Sequence, residues 1–154
     1  MRSEPLILLV EDDANDAELA RIALQRAQVE HTLQVVRDGP EALDWLFSRG
    51  PFIGRDCSVP PRLILLDLKL PKMNGLEVLD HIRHHPRTKL VPVVVFTSSL
   101  EEKDLNQSYQ LGANGYVRKP VDFAEYKKVL AEVGTFWIRH NQMPNQRPDP
   151  GPAE

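Results

Sequence analysis

The sequence predicts an α/β protein built on a doubly wound parallel sheet. Three observations predict this class. Short, continuous apolar runs rich in Val, Ile and Leu are typical of strands that helices cover on both faces. Helical patterns separate consecutive runs, and the two kinds of segment alternate through most of the 154 residues. Such alternation indicates βα units whose right-handed crossovers connect parallel strands.

Four strands are predicted from the apolar runs and a fifth from a shorter segment further along the chain. They cover residues 6–10, 33–36, 63–66, 91–96 and 115–118. Each segment has the length of a strand rather than of a helix, although Pro92 interrupts the fourth. Five parallel strands that alternate with five helices predict the flavodoxin-like (βα)5 topology, in strand order 2-1-3-4-5.

The five helices are predicted from apolar stripes with a helical period. They cover residues 15–29, 39–49, 76–85, 101–111 and about 122–140. Asp13 or Asn15 is expected to cap the first helix, because its side chain can accept from free backbone N–H groups. Gly112 follows the fourth helix, where a left-handed C-cap favours glycine. Gly75 is expected to supply a positive φ in the turn before the third helix.

Composition and charge limit both the domain organisation and the setting. Residues 1–143 are expected to form one domain, and the proline-rich segment 144–154 is expected to be disordered. The net charge of −3, without a basic stripe, argues against a nucleic-acid partner. The lone Cys57 excludes an intramolecular disulfide framework and fits a reducing compartment. No signal peptide or membrane-spanning stretch is evident, so we expect a cytoplasmic protein without a membrane partner.

Polar side chains follow four of the five predicted strands at their carboxyl ends. Glu11 and Asp12 follow the first strand, Asp67 the third, Thr97 the fourth and Lys119 the fifth. In open α/β sheets the working site lies at this edge, where the strand order reverses. The sequence therefore predicts that several carboxylates, a hydroxyl and an ammonium converge in one place.

Carboxylates that converge in this way need a cation or a proton between them. Two of them about 5 Å apart repel each other by roughly 3 kcal/mol at an effective dielectric constant near 20. Hard oxygen ligands of this kind suit magnesium, which is therefore the predicted cofactor. An ionised Asp67 can attack a phosphoryl group whose charge is neutralised by the metal, Lys119 and Thr97. These residues predict phosphoryl transfer onto Asp67.

Four segments carry a resemblance to a known family. They are LILLVEDD, LILLDLKLPKMNGLEVL, VPVVVFTSS and GANGYVRKPVD. Together they make residues 5–140 resemble the CheY-like receiver domains of bacterial two-component response regulators. The resemblance implies that Asp67 accepts a phosphoryl group from the phosphohistidine of a sensor histidine kinase. It also implies that Glu11, where the family commonly has Asp, binds magnesium together with Asp12, Asp67 and the backbone carbonyl of Lys69.

The resemblance further implies a conformational switch. Thr97 would move onto the phosphoryl group, and Tyr116 would turn inward when Thr97 moves. Lys119 would contact a phosphoryl oxygen, and its bond to Pro120, typically cis in this family, would aim the side chain into the pocket.

A narrower resemblance concerns small response regulators that serve phytochrome-type histidine kinases. It rests on the expanded loop 51–61, the sequence RTKLVP over residues 87–92, and Phe136 with Trp137 near the end of the last helix. It implies that the kinase partner is a bacteriophytochrome. No chain remains after residue 143 for a DNA-binding module, so the output is expected to pass through protein contacts.

The last predicted helix has more apolar surface than one packed face needs. Phe123, Tyr126, Leu130, Val133 and Trp137 recur at spacings of three and four. Further apolar residues lie off this stripe, namely Val129, Phe136 and Ile138. We therefore expect a homodimer through the face formed by the fourth helix, the fifth strand and the fifth helix, a face that the resembling family often uses.

Three alternative functions are open. A phosphohydrolase with an aspartate nucleophile generally needs a second acid two residues further on, where Lys69 stands. A flavodoxin-type cofactor binder must cradle phosphate in its first loop, which the acidic sequence EDDAND would repel. A pseudo-receiver would dock partners without phosphorylation. The leading interpretation is a phospho-switch rather than an enzyme for external substrates, with self-phosphorylation and slow autodephosphorylation whose rate Lys69 and Ser99 tune.

Overall fold

The computed structural model describes residues 4–144, in which a five-stranded sheet lies between helices. The strands are β1 (Leu6–Val10), β2 (Thr32–Val36), β3 (Leu63–Leu66), β4 (Val93–Thr97) and β5 (Gly115–Arg118). The helices are α1 (Ala14–Arg26), α2 (Gly39–Leu46), α3 (Gly75–Arg83), α4 (Glu102–Gln110) and α5 (Phe123–Gly134). A 3-10 turn, Gly50–Phe52, follows α2, and a π-helical segment, Thr135–His140, continues α5.

The strand order is β2-β1-β3-β4-β5, and every neighbouring pair is parallel. This confirms the predicted topology. The chain moves outward from β1 to β2 and then crosses back to β3 on the other side of β1. The loops after β1 and β3 therefore diverge to opposite sides of the sheet and leave a crevice at its carboxyl edge.

The pleat of the strands divides the apolar side chains between two cores. Leu8 and Val10 belong to the core that includes α2 and α3, whereas Ile7 and Leu9 belong to the core that includes α1 and α5. All four residues of Leu63–Leu66 are fully buried. Because both faces of these strands are covered, their sequences are continuously apolar rather than alternating.

The ends of the helices follow the expected capping chemistry. The Asp13 carboxylate accepts from the backbone N–H groups of Asn15 and Asp16, which settles Asp13 as the N-cap of α1. Asn74 caps α3 in the same way through the N–H of Glu77. Gly112, after α4, has a φ of 101°, which confirms the predicted left-handed conformation.

The end of α5 differs from the expected apolar stripe. Buried residues recur at every fourth position, at Tyr126, Leu130, Gly134 and Ile138. A π-helix has more residues per turn than an α-helix, so residues four apart stay more nearly on one face. In a continuous α-helix, the fourth residue of this series would have rotated away from the core. Ile138, expected as additional surface, consequently lies in the core, with 7% of its surface exposed.

The predicted dimer face needs a correction for the same reason. Tyr126 and Leu130 are 4% and 0% exposed and pack inside the monomer with α1, so they are not available to a second chain. Val133 and Trp137 are half-buried, whereas Phe123 and Phe136 are 69% and 50% exposed. The apolar surface that α5 offers is thus smaller than the sequence pattern predicted.

Two predictions concern the termini and the surface. The loop 51–61 consists of turns and irregular backbone after its first residues, as expected. The predicted disordered tail falls almost entirely on residues 145–154, which lie outside the described residues. Within residues 4–144, no helix combines the length and the apolar character needed to cross a membrane.

Candidate functional site

The carboxyl edge of the sheet brings the predicted polar residues to one place. Glu11 and Asp12 follow β1, Asp67 follows β3, Thr97 ends β4 and Lys119 follows β5. The backbone ties these loops together, because Glu11 N donates to Val36 O and Lys119 N donates to Thr97 O. The side chains therefore project from rigid strand ends rather than from mobile loops.

Three carboxylates form a cluster at this edge. Glu11, Asp12 and Asp67 each offer an oxygen atom, and these three oxygens lie within 4.8 Å of one another. Glu11 and Asp67 are only 3% and 6% exposed, whereas Asp12 faces the solvent. At such separations each pair repels by roughly 3 kcal/mol at an effective dielectric constant near 20. The cluster therefore favours a bound cation.

Lys119 supplies one positive charge to this cluster. Its Nζ donates to Glu11 Oε2 at 2.6 Å, to Asp67 Oδ2 at 2.9 Å and to Asp16 Oδ2 at 3.0 Å. Only 7% of the lysine side chain is exposed. Each of its three N–H groups thus has a carboxylate acceptor, which holds the ammonium beside the Asp67 carboxylate.

The expected cis bond between Lys119 and Pro120 is wrong for this structure, since residues 4–144 contain no cis peptide bond. The lysine side chain reaches all three carboxylates across a trans bond. The long methylene stem and the strand end of β5 are sufficient to bring Nζ into the site.

Asp67 is held by the backbone around it. Its Oδ1 accepts from Lys69 N at 3.2 Å, while the Lys69 side chain faces the solvent. Gly75 at the start of α3 packs directly against this loop: a Cβ there would lie 2.3 Å from the Asp67 carbonyl oxygen and 2.7 Å from Leu68 Cα. The expected positive φ at Gly75 is wrong, because it is Lys72 that has a φ of 69° in this turn. Close approach is what requires glycine at position 75.

Thr97 and Ser99 link the site to α4. Thr97 is fully buried, and its Oγ1 accepts from Ser99 N at 3.3 Å. Ser99 Oγ donates to Asp104 Oδ2 at 2.6 Å and accepts from Glu101 N at 3.2 Å. Glu101 makes no side-chain cap of its own, so Ser99 ties the first turn of α4 to the end of β4.

Tyr116, the predicted switch, lies in β5 and packs against the core that includes α2 and α3. Its hydroxyl is buried and makes no hydrogen bond of good geometry within the described chain. Burial raises the pKa of this phenol above its ordinary value, although the Ser99 side chain lies close enough to act on the pKa in the opposite direction. Tyr116 therefore lies beside Ser99, the residue that links β4 to α4.

Asp16 is the site residue that sequence reasoning missed. It lies in the first turn of α1, and its side chain is 31% exposed. The sequence contains a pattern that could have identified it. Asp16 precedes the buried Ala20 and Ala23 by four and seven residues, so it lies on the same face of the helix. An acidic residue on the buried face of a helix needs a partner, which here is Lys119.

Burial and charge shift the pKa values of Glu11 and Lys119. Burial raises the pKa of Glu11 to about 7, although the hydrogen bond from Lys119 acts in the opposite direction. Burial alone would lower the pKa of Lys119, but Asp67 and Glu11 outweigh it and raise the pKa above its ordinary value. The lysine therefore stays charged, while Glu11 holds a proton readily when no metal is present.

The metal-free protein is expected to lose stability as pH rises from about 4.5 to about 7. The folded state binds the Glu11 proton more tightly than the unfolded state. The stability that this proton contributes is therefore fully present below the pKa of Glu11 in the unfolded chain, and it is lost above the pKa of Glu11 in the folded protein. The loss should reach about 3 kcal/mol. Urea unfolding in EDTA at about pH 5 and about pH 8 measures it. Saturating MgCl2 and the Glu11→Gln substitution should each suppress the loss, and an unchanged loss in Glu11→Gln would contradict the assignment.

The donor set fits a hard divalent cation. Three carboxylates in reach of one another carry more charge than one ammonium neutralises, and the solvent-facing Asp12 leaves room for water ligands. Magnesium combines one to a few carboxylates with water in this way. The residues that could hold it are Glu11, Asp12 and Asp67.

Comparisons with known proteins agree with this geometry. The family described as response regulator receiver domain matches residues 7–131. The response regulator Rcp1 of Synechocystis sp. is 38% identical over 139 residues, which cover 90% of this chain and 92% of that protein. The crystal structure of the Mn2+-bound form of Rcp1 has a TM-score of 0.84 at 37% identity and covers 91% of this chain and 99% of that one.

Two further solved structures are similar. The phosphorylated cyanobacterial phytochrome response regulator RcpA has a TM-score of 0.86 at 37% identity, with 92% of this chain and 99% of that chain covered. The bacteriophytochrome response regulator RtBRR is 47% identical with a TM-score of 0.73, and the match covers 94% of this chain and 87% of that chain.

Proposed function

The chain belongs to the response regulator receiver family, and on that premise we propose that Asp67 accepts a phosphoryl group from a histidine kinase while Mg2+ is bound at Glu11 and Asp12. The observation that carries this proposal is the Lys119 ammonium, buried 2.9 Å from Asp67 Oδ2 beside the carboxylate cluster. An anionic phosphoryl group needs this combination of nucleophile and fixed positive charge.

Asp67 is suited to act as the nucleophile in this transfer. One of its carboxylate oxygens attacks phosphorus, and the P–N bond of the phosphohistidine breaks, so the electron pair leaves with the imidazole, which takes up a proton. Magnesium held at Glu11 and Asp12 would supply positive charge that neutralises phosphoryl oxygens during the transfer. Lys119 contacts a further phosphoryl oxygen, and the Lys69 N–H holds the second Asp67 oxygen in place. The backbone carbonyl of Lys69 is the additional metal ligand in this proposal.

The change at Asp67 would reach the surface through β4 and β5. Thr97 donates its hydroxyl to the phosphoryl group and no longer accepts from Ser99 N. Ser99 also bonds to Asp104 in the first turn of α4. Loss of the bond between Thr97 and Ser99 therefore loosens the connection between the end of β4 and α4. Tyr116, whose buried hydroxyl makes no hydrogen bond of good geometry within the described chain, is the residue proposed to respond by moving further inward. Ser99 and Lys69 remain the residues proposed to tune the phosphoryl lifetime.

The proposed partner is a histidine kinase of the phytochrome type. The support is the similarity to RcpA, a cyanobacterial phytochrome response regulator, and to RtBRR, a bacteriophytochrome response regulator. We further propose self-association through the face of α4, β5 and α5. Val133 and Trp137 are the residues of the predicted dimer face that remain partly exposed, and Phe136 is an exposed apolar contact.

Incubation with acetyl phosphate and MgCl2 is expected to add one phosphoryl group, and Asp67→Asn or EDTA should abolish the addition. Asparagine keeps the size of the side chain but cannot form an acyl phosphate, and without a divalent cation the carboxylates repel the donor. Intact-mass spectrometry measures the addition. If the folded, magnesium-loaded wild type gains no mass, the proposed function fails and the pseudo-receiver alternative gains support.

A further inference from the structure

Asp16 differs from the other two partners of Lys119 because it stands outside the metal-binding cluster. Glu11 and Asp67 both belong to that cluster, whereas Asp16 is contributed by the first turn of α1. The three contacts, at 2.6, 2.9 and 3.0 Å, use all three N–H groups of the ammonium. Two of the three acceptors of Lys119 are therefore groups that a metal ion and a phosphoryl group also need.

Both oxygens of Glu11 already accept hydrogen bonds. Oε1 accepts from Asp13 N at 3.1 Å, and Oε2 accepts from Lys119 Nζ. A metal ion held by Glu11 would repel the nearby ammonium and so weaken the contact between Glu11 and Lys119, and a phosphoryl group on Asp67 would compete for the second contact. Of the three carboxylates that bind Lys119, only Asp16 is then neither a ligand of the metal nor the acceptor of the phosphoryl group.

The side chain of Asp16 is partly exposed, and its backbone is held in place. Its carboxylate is partly hydrated, at 31% exposed, and lines a cavity of about 190 Å3 that Lys119 and Pro120 also line. Its backbone is fixed, because the Asp16 carbonyl accepts from the Tyr126 hydroxyl at 3.1 Å and Asp13 caps the same helical turn. Asp16 is thus a rigidly mounted anion at the mouth of the site.

We propose that Asp16 is a positioning residue for phosphoryl transfer, which keeps the Lys119 ammonium in the site while the metal and the phosphoryl group engage Glu11 and Asp67. This rests on the proposed function of the same site. Without Asp16, Lys119 depends on Glu11 and Asp67 alone and competes more strongly with the incoming metal ion.

A magnesium titration of the unphosphorylated protein, followed by amide chemical shifts, tests this role. Asp16→Asn is expected to raise the Kd for MgCl2 by about three- to tenfold, because a charge-assisted contact becomes a weaker neutral one. Asp13→Asn is the matched control: it removes a nearby charge and keeps a capping residue, but Asp13 does not contact Lys119. It should change the Kd by less than about twofold.

A double-mutant cycle distinguishes an effect of Asp16 that acts through Lys119 from a direct effect of its charge on the metal ion. In a Lys119→Met background, Asp16→Asn should no longer change the magnesium Kd by more than about twofold. An equal increase with and without Lys119, or no increase in the single variant, would overturn the inference. Circular dichroism establishes that each variant is folded. Because the titration needs no phosphorylation, failure of this inference and failure of the phosphoacceptor proposal are separate results.

Discussion

Replacing Gly75 by alanine is expected to lower the free energy of unfolding by about 3 kcal/mol and to slow the phosphorylation of Asp67 by about a hundredfold. The added Cβ would lie 2.3 Å from the Asp67 carbonyl oxygen and 2.7 Å from Leu68 Cα. Both are backbone atoms, which cannot rotate away as a flexible side chain can. Either α3 or the loop that carries Asp67 must therefore shift, and the nucleophile shifts with it.

Urea unfolding and the rate of phosphorylation by acetyl phosphate measure the two effects of Gly75→Ala. Gly115→Ala is the matched control, because a Cβ at this strand position would meet only Val94 side-chain atoms, at 3.6 and 3.7 Å. That variant should keep both the stability and the rate close to those of the wild type. Normal phosphorylation by Gly75→Ala would show that the Asp67 loop does not depend on this packing.

Replacing Lys119 by methionine is expected to slow phosphorylation by about a hundred- to a thousandfold. The side chain is only 7% exposed, and its Nζ lies 2.9 Å from Asp67 Oδ2, so no other charge in the described chain is placed to replace it. Methionine retains much of the stem and its packing, and the substitution therefore removes chiefly the ammonium.

Time courses with acetyl phosphate, followed by intact mass, measure the loss in Lys119→Met. Lys103→Met removes an exposed ammonium from α4 and should leave the rate unchanged. A rate for Lys119→Met within about threefold of the wild type would contradict the role assigned to the lysine. Added magnesium should restore little of the lost rate, because the ammonium would neutralise a phosphoryl oxygen that the metal would not.

The sequence was informative where one physical constraint dominated. Strands covered on both faces must be continuously apolar, and this identified the buried strand segments such as Leu63–Leu66. Strand order then followed from the rules for parallel crossovers, and the carboxyl ends of the strands located Glu11, Asp67 and Lys119. These residues are brought together as the topology requires.

Features that depend on close packing were not predictable from the pattern. The need for glycine at position 75 arises from contact with the Asp67 backbone, not from a local φ preference. The π-helical end of α5 changes which side chains are buried, so Ile138 lies inside although an α-helical period places it outside. The role of Asp16 required knowing that Lys119 reaches across from β5 to α1.

The central claim is that Asp67 itself carries the phosphoryl group, and localising the acyl phosphate tests it most directly. The protein is incubated with acetyl phosphate and MgCl2, reduced with borohydride to convert the aspartyl phosphate to homoserine, digested and sequenced by mass spectrometry. Homoserine at position 67, absent when MgCl2 is omitted, is the predicted result. Homoserine at Asp12 instead, or phosphate stable to borohydride on Thr97 or Ser99, would contradict the account.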